Sequence, residues 1–185
     1  MRGLLVIACL LSVASAHAAD VTVVFAMDNI APSVYCDARI DASWMFSRAG
    51  IRVKWIESEK EDPTTVLVRV LVVSSSGPAN ISPAALAYAT PFDNQPAIVV
   101  LYNRLLDAVA RRPQMLGRLL GHVLAHEISH ILQGTDRHAD SGIMKTGWGN
   151  VDYEAMARAP LAFTPFDVEG MKDGLAFWRK RASLR

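Results

Sequence analysis

Four of the five histidines in the chain lie between residues 122 and 138, and residues 126–130 read H-E-I-S-H. In a helix, His126 and His130 would project from one face about one turn apart, so both imidazoles could bind the same metal ion. Glu127 would be rotated by about 100° on that helix, within reach of a water at the metal, which is where a general base is needed. The pattern predicts a catalytic metal site, with Zn²⁺ as the expected ion.

A third ligand has to come from outside the helix, because catalytic zinc usually takes three protein ligands and keeps a fourth position for water. Gly134 can end the helix in the left-handed conformation and turn the chain back toward the metal. The donors that follow are Asp136 and His138. Imidazole is the more usual zinc donor, so we predict His138 as the third ligand and keep Asp136 as the alternative.

Other residues near the motif have simpler interpretations. His122 precedes His126 by one turn, but about 12 Å along the axis would separate His122 from His130, too far for one shared ion. Glu154 is a third-ranked alternative ligand, and a solvated helix face is its ordinary interpretation. Tyr88 and Tyr153 are candidates for stabilising an oxyanion, although packing at the core or rim explains them as well.

Residues 126–138 resemble the long motif of the metzincin group of zincin metallopeptidases, H-E-x-x-H-x-x-G-x-x-H or D, followed by a Met-containing turn. The chain departs from that pattern at two offsets. Gln133 stands at the glycine offset and Asp136 at the third-ligand offset, whereas Gly134 and His138 each come slightly later. The resemblance implies a secreted zinc endopeptidase that hydrolyses peptide bonds in a peptide or protein substrate.

The resemblance extends to elements outside the motif. It implies that Met144 lies in the Met-turn as an apolar floor beneath the metal, supported by Trp148. Residues 86–89 look like the edge strand of the metzincin upper sheet, along which an extended substrate would pair. The chain is also similar to small exported bacterial proteins with an H-E-I-x-H helix, a G-I-M turn and a closing F-T-P helix, here at 163–165.

Hydrophobic periodicity and turn residues predict the elements that must position these side chains. The residues expected in strands are 21–27, 51–56, 65–73, 86–89 and 97–102, and those expected in helices are 32–49, 104–111, 113–133 and 164–181. The third strand is apolar almost throughout, which is typical of a strand buried on both faces. With the resemblance, this predicts an α+β, zincin-like fold in which a mixed twisted sheet packs on two long helices. A loop-rich C-terminal part would carry the Met-turn and a closing helix.

The first eighteen residues have the pattern of a signal peptide: Met1 and Arg2, an apolar run to Val13, then small residues. The apolar run is shorter than the roughly 20 residues that span a bilayer. We therefore expect a secreted or periplasmic protein without stable membrane insertion. One domain is expected over 19–185, with an N-terminal part to about residue 134 and a C-terminal part from about 135.

Charge and cysteine content exclude some classes of function. The chain has 19 Lys+Arg and 18 Asp+Glu, and removal of Arg2 with the signal would leave 18 of each. No net field then attracts a polyanion, so nucleic acid is not an expected partner. We also expect a monomer. Cys36 would be the only cysteine left, without an internal disulfide, and is interpreted as a small buried hydrophobe on the second predicted element.

Two other functions fit the same residues. One is an exported zinc-binding protein without turnover, in which the metal stabilises the fold or binds a partner. The other is a hydrolase of cell-wall peptides that uses the same metal chemistry. A purely structural zinc site does not require Glu127 and fills its fourth position with a protein ligand, which distinguishes it from a hydrolytic site.

Overall fold

The computed structural model describes residues 19–25, 30–57, 65–74, 77–90 and 95–182. Within these ranges the chain forms an α+β architecture with five strands and five helices. The strands are β1 (Val21–Phe25), β2 (Val53–Ile56), β3 (Val66–Val73), β4 (Ala87–Ala89) and β5 (Ala97–Leu101), and the helices are α1 (Pro32–Arg48), α2 (Tyr102–Ala108), α3 (Leu116–Gln133), α4 (Asn150–Arg158) and α5 (Pro165–Ala182). The signal-peptide prediction falls on residues outside the described part.

All five strands join one mixed sheet in the order β2-β1-β3-β5-β4. The first four are parallel to their neighbours, and β4 runs antiparallel to β5 at the edge. The five predicted strands, the mixed sheet and the edge position of residues 86–89 are therefore confirmed. Tyr102, predicted at the end of the last strand, instead begins α2, and residues 26–27 of the first predicted strand lie outside the described part. The long helix predicted from Pro113 differs at its start, where a single 3₁₀ turn at Pro113–Met115 precedes α3.

Helices α1 and α3 pack against each other and against the sheet. Two glycines of α3 allow this close approach: a Cβ on Gly121 would lie 2.8 Å from the Ala38 carbonyl oxygen, and one on Gly117 would lie 2.6 Å from Cβ of Asp37. As a result, α3 is buried along nearly its whole length. The helix that carries the H-E-x-x-H motif is thus a central element of the core.

The third strand is less buried than its sequence predicts. Val66, Val68 and Val70 of β3 are buried, but the alternate residues are only partly covered and Leu71 is 50% exposed. The prediction of a strand buried on both faces is wrong, because one face of β3 packs into the core far more completely than the other. An apolar run predicts a strand, but it does not show which of the two faces of that strand other elements will bury.

Cys36 is exposed, so its interpretation as a buried hydrophobe is wrong. Helix α1 buries Ala38 and Ala42, on the face that the periodicity predicts. Cys36 lies two residues before Ala38, about 200° around the helix, and therefore faces outward. None of the described helices is long and apolar enough to cross a membrane.

Candidate metal centre

The candidate site is built on the last two turns of α3. His126 and His130 are 8% and 7% exposed, and their rings lie edge to face with centroids 4.6 Å apart. Gly134 ends the helix at φ +62°, ψ +34°, and its N–H donates to the His130 carbonyl. The predicted left-handed helix end at Gly134 is confirmed, and from there the chain turns back over the two imidazoles.

Backbone carbonyls fix the tautomers of both rings. Nδ1 of His126 lies 2.9 Å from the Ile143 carbonyl oxygen, and Nδ1 of His130 lies 2.8 Å from that of Thr135. A carbonyl only accepts hydrogen bonds, so each Nδ1 carries the proton. Each neutral ring then presents an unprotonated Nε2, and these two nitrogens lie 3.0 Å apart. Two lone pairs therefore face each other at close range.

Protonation is a costly way to relieve this contact. Burial, followed by the neighbouring His130, lowers the pKa of His126 to about 4. Burial also lowers the pKa of His130. A cation beside both nitrogens relieves the contact without protonation: a tetrahedral zinc with Zn–N bonds of 2.0–2.1 Å holds its nitrogens about 3.3 Å apart. The donor set therefore suits zinc.

His138 completes a group of three imidazoles. Its ring centroid lies 5.2 Å from that of His126 and 4.9 Å from that of His130. One ligand atom from each of the three residues lies within 4.8 Å of the other two. His138 is exposed, whereas the two helix histidines are buried. The three residues predicted as metal ligands thus lie together.

The alternative ligands lie outside this group. In the described part of the chain, no other set of three or more His, Cys, Asp or Glu residues could hold a metal ion. Asp136 is exposed and lines the neighbouring cleft without joining the three imidazoles. Glu154 lies 3.9 Å from the Arg112 guanidinium at the surface. The arrangement therefore favours His138 over both carboxylates.

Glu127 lies beside the imidazoles in a cleft of about 600 Å³. Burial raises the pKa of Glu127 to about 7, and a hydrogen bond with the backbone of Ala89 opposes the shift. Ala89 belongs to the edge strand β4, so the carboxylate bridges α3 and the sheet edge. A carboxyl group with a pKa near neutrality can both accept and return a proton.

The cleft runs between β4 and the loop that follows α3. Leu86, Ala87 and Tyr88 line it from the sheet edge, and Trp148 and Tyr153 line it from the part of the chain after α3. Both tyrosines considered as oxyanion stabilisers therefore border the cleft. The Trp148 ring stands edge-on to His126 with centroids 5.8 Å apart, and its Nε1 donates to the Gly142 carbonyl.

Met144 and His122 are two further buried residues with hydrogen bonds to loop segments. Met144 is fully buried, and its carbonyl accepts a hydrogen bond from the Ala139 N–H at 2.7 Å. His122 is also fully buried, with Nδ1 2.8 Å from the Arg118 carbonyl, and the Leu161 N–H donates to its Nε2 at 3.0 Å. Burial lowers the pKa of His122 to about 4, so the neutral ring makes both bonds. His122 thus supports the site without joining the imidazole group.

Sequence reasoning missed several contacts that shape the site. The carbonyls of Thr135 and Ile143 and the backbone of Ala89 belong to residues whose side chains give no signal. Arg137 and Asp167, which form an ion pair at 3.1 Å, were also missed. The spacing of Thr164 and Asp167, typical of a helix N-terminal capping box, was the available signal for a fixed carboxylate.

In comparisons with known proteins, the chain matches no protein-family model, no curated protein and no solved structure.

Proposed function

We propose that the protein is an exported zinc-dependent endopeptidase of the metzincin type, with a zincin-like fold. The observation that carries the proposal is the convergence of three imidazoles on one point, with Glu127 beside them in an open cleft. His126, His130 and His138 would hold the metal. The sequence motif, the five-stranded mixed sheet and the left-handed turn at Gly134 support the assignment.

The chemistry would be divided between the metal and Glu127. When bound, zinc polarises a carbonyl oxygen and lowers the pKa of a bound water to about 7. The Glu127 carboxylate accepts the proton of the attacking water and delivers it to the departing amine nitrogen. The Ala89 backbone holds this carboxylate at the sheet edge. The Nδ1 hydrogen bonds of His126 and His130 leave their Nε2 atoms as the nitrogens that would bind the metal.

The edge strand β4 would bind the substrate. It pairs with β5 on one side only, and residues 86–89 line the cleft beside Glu127. An extended peptide can add to such an edge through backbone hydrogen bonds, with specificity coming from alternate side chains. A peptide or protein is therefore the substrate class that fits. Export is a separate part of the proposal and rests on the signal-like N-terminus.

Replacing Glu127 with Gln tests the catalytic role. We expect the purified variant to keep one zinc per chain while hydrolysis of a mixed peptide library falls at least about 10²-fold, since a general base contributes about 10² to 10⁴. Metal analysis and mass spectrometry of the library measure the two effects. Glu154→Gln is the matched control, because it makes the same change at an exposed surface carboxylate.

The outcomes separate the proposed function from its rivals. Full activity in Glu127→Gln contradicts the role of Glu127. A wild-type protein that holds one zinc and cleaves no peptide supports the exported zinc-binding protein without turnover. Cleavage restricted to cell-wall peptides, with ordinary peptides intact, supports the cell-wall hydrolase.

A further inference from the structure

The proposed ligand His138 is exposed, and the arginine before it makes both an ion pair and a cation–π contact. The Arg137 guanidinium lies 3.1 Å from Oδ1 of Asp167 and 4.1 Å above the centroid of the Phe166 ring. Both partners belong to the first turn of α5. We call Arg137, Phe166 and Asp167 the loop clamp.

The Asp167 carboxylate is the most firmly held part of the clamp. It is fully buried, and Thr164 donates to its Oδ2 through the backbone N–H at 2.9 Å and through Oγ1 at 2.6 Å. The Asp167 N–H bonds back to Thr164 Oγ1 at 3.2 Å. This reciprocal cap immobilises the carboxylate at the start of α5. The bond to Arg137 is charge-assisted and therefore stronger than a neutral one.

Helix α5 is in turn seated directly on α3. Nε1 of Trp178 donates to the Ile131 carbonyl at 3.2 Å, and Oγ of Ser129 lies 3.2 Å from Sδ of Met171. A Cβ on Gly174 would overlap the Leu132 carbonyl oxygen, so the two backbones are in contact. These contacts hold the clamp at a fixed position relative to α3, the helix that carries the other two imidazoles.

The loop is held by hydrogen bonds on both sides of His138, not by burial of the His138 ring itself. The Thr135 carbonyl meets Nδ1 of His130 at 2.8 Å, and the Arg137 N–H donates to Thr135 Oγ1 at 3.2 Å. His138 is exposed and has no comparable burial to fix its ring. Both of its neighbours in sequence are bonded: the Ala139 N–H donates to the Met144 carbonyl at 2.7 Å, and Nη1 of Arg137 donates to the carbonyl of His138 itself at 3.4 Å. Arg137 is the neighbour whose side chain reaches α5.

We propose that Arg137 and Asp167 are positioning residues that hold His138 at the distance from α3 at which it serves as the third metal ligand. The inference rests on the proposed metal site and adds that the C-terminal helix α5 is part of its assembly. Residues that orient metal ligands typically change metal affinity by 10- to 100-fold when they are replaced.

The test compares Arg137→Ala and Arg137→Lys with wild type in zinc affinity, measured by competition with a chromophoric chelator. We expect Arg137→Ala to bind zinc about 10- to 100-fold more weakly. Arg137→Lys keeps the charge but loses the planar stacking on Phe166, so we expect a smaller loss. Arg111→Ala, at an exposed arginine outside the cleft lining, should bind like wild type.

Two further readouts separate positioning from a general structural effect. The visible spectrum of the Co²⁺-substituted protein reports the ligand geometry and should change in Arg137→Ala. The melting temperature of the metal-free protein reports the fold. The inference is wrong if Arg137→Ala binds zinc like wild type. It is also wrong if, across both variants, the loss of zinc affinity merely follows the fall in the melting temperature of the metal-free protein.

The same data distinguish failure of the inference from failure of the proposed function. A wild-type protein that binds no zinc contradicts the metal site itself. A wild-type protein that binds zinc, loses affinity in His138→Ala and keeps it in Arg137→Ala contradicts only the positioning role.

Discussion

The candidate site has two halves that are held in different ways. In the helix half, His126, Glu127 and His130 lie on α3 in the centre of the core, each at most 8% exposed. In the loop half, His138 lies on an exposed turn and depends on contacts made by its neighbours. Burial and two carbonyl hydrogen bonds fix the first set of side chains, whereas bonds made by neighbouring residues hold the loop that carries His138.

This difference shows how the proposed metal site could combine rigid ligands with access from solvent. Packed side chains have few alternative rotamers, so the helix half can be preorganised without any metal. A loop residue keeps more freedom and needs a specific tether, here the contacts of the loop clamp and the bonds at Thr135. In the proposed function, an open loop half would also leave room for a substrate beside the metal.

The largest expected effect comes from removing one ligand from each half. We expect His126→Ala to abolish zinc binding at micromolar concentrations, because it removes a buried donor and leaves the Ile143 carbonyl without its partner. His138→Ala should keep weak zinc binding by the two helix imidazoles, with an affinity at least about 10²-fold below wild type. Removing a ligand should lower the affinity more than removing a residue that only orients a ligand, which typically costs 10- to 100-fold. Isothermal titration with zinc measures both affinities.

His122→Ala is the control for the loss of a histidine that lies outside the group of imidazoles. It should lower stability, because His122 is fully buried and makes two hydrogen bonds, yet still bind one zinc. Tighter zinc binding in His126→Ala than in His138→Ala would reverse the assignment of the rigid half.

The next effect concerns the support of the helix half by α5. Gly174→Ala should destabilise the protein by about 3 kcal/mol, because a Cβ there would overlap the Leu132 carbonyl and force the two helices apart. Gly170→Ala is the matched control on the same helix, where the added Cβ meets the flexible Gln133 side chain at 3.2 Å. Urea unfolding of the metal-free proteins compares them, and equal stability of the two variants would contradict the close α3–α5 contact.

The smallest effect lies outside both halves, at the start of α4, where Asp152 bonds to Lys145 of the preceding loop. The hydrogen bond from Lys145, and also that from the Gly149 N–H, lowers the pKa of Asp152. The bond lengths are 2.6 Å and 2.8 Å. We expect Asp152→Asn to cost about 0.5–1 kcal/mol at neutral pH, the usual contribution of a cap and a surface ion pair.

The sign of the pH dependence follows from the lowered pKa. The carboxylate of Asp152 stabilises the fold above the ordinary carboxyl pKa, and the contribution disappears as the pH falls through the lower pKa of the folded state. The stability difference between wild type and Asp152→Asn should therefore stay constant from about pH 7 to about pH 5 and shrink only in more acid solution. A difference that declines already above pH 5 would contradict the pairing.

Much of the fold was predictable because its signals are local. The strands follow from β-branched apolar runs, and α3 and α5 follow from periodicity with Gly134 and the Thr164–Pro165 start as their boundaries. The burial of individual residues was less predictable. Cys36 faces outward although its helix was placed correctly, and Leu71 is half exposed, since covering a face depends on which elements pack there.

The contacts between loops and helix were beyond sequence reasoning for a physical reason. The Ile143 carbonyl binds a histidine 17 positions away, and Asp167 binds an arginine 30 positions away. Backbone acceptors carry no residue signature, and an aspartate in a capping box looks the same whether or not an arginine reaches it.

By itself, the sequence determined that His126, Glu127 and His130 share one stretch of helix, because helical periodicity depends only on neighbours along the chain. It also determined where that helix ends, because Gly134 adopts a backbone conformation that other residues avoid. Only the tertiary structure decided that His138 and not Asp136 joins the two imidazoles, which ring nitrogens face each other, and that the edge strand holds Glu127. These outcomes depend on contacts between distant segments, whose geometry exists only once the chain has folded.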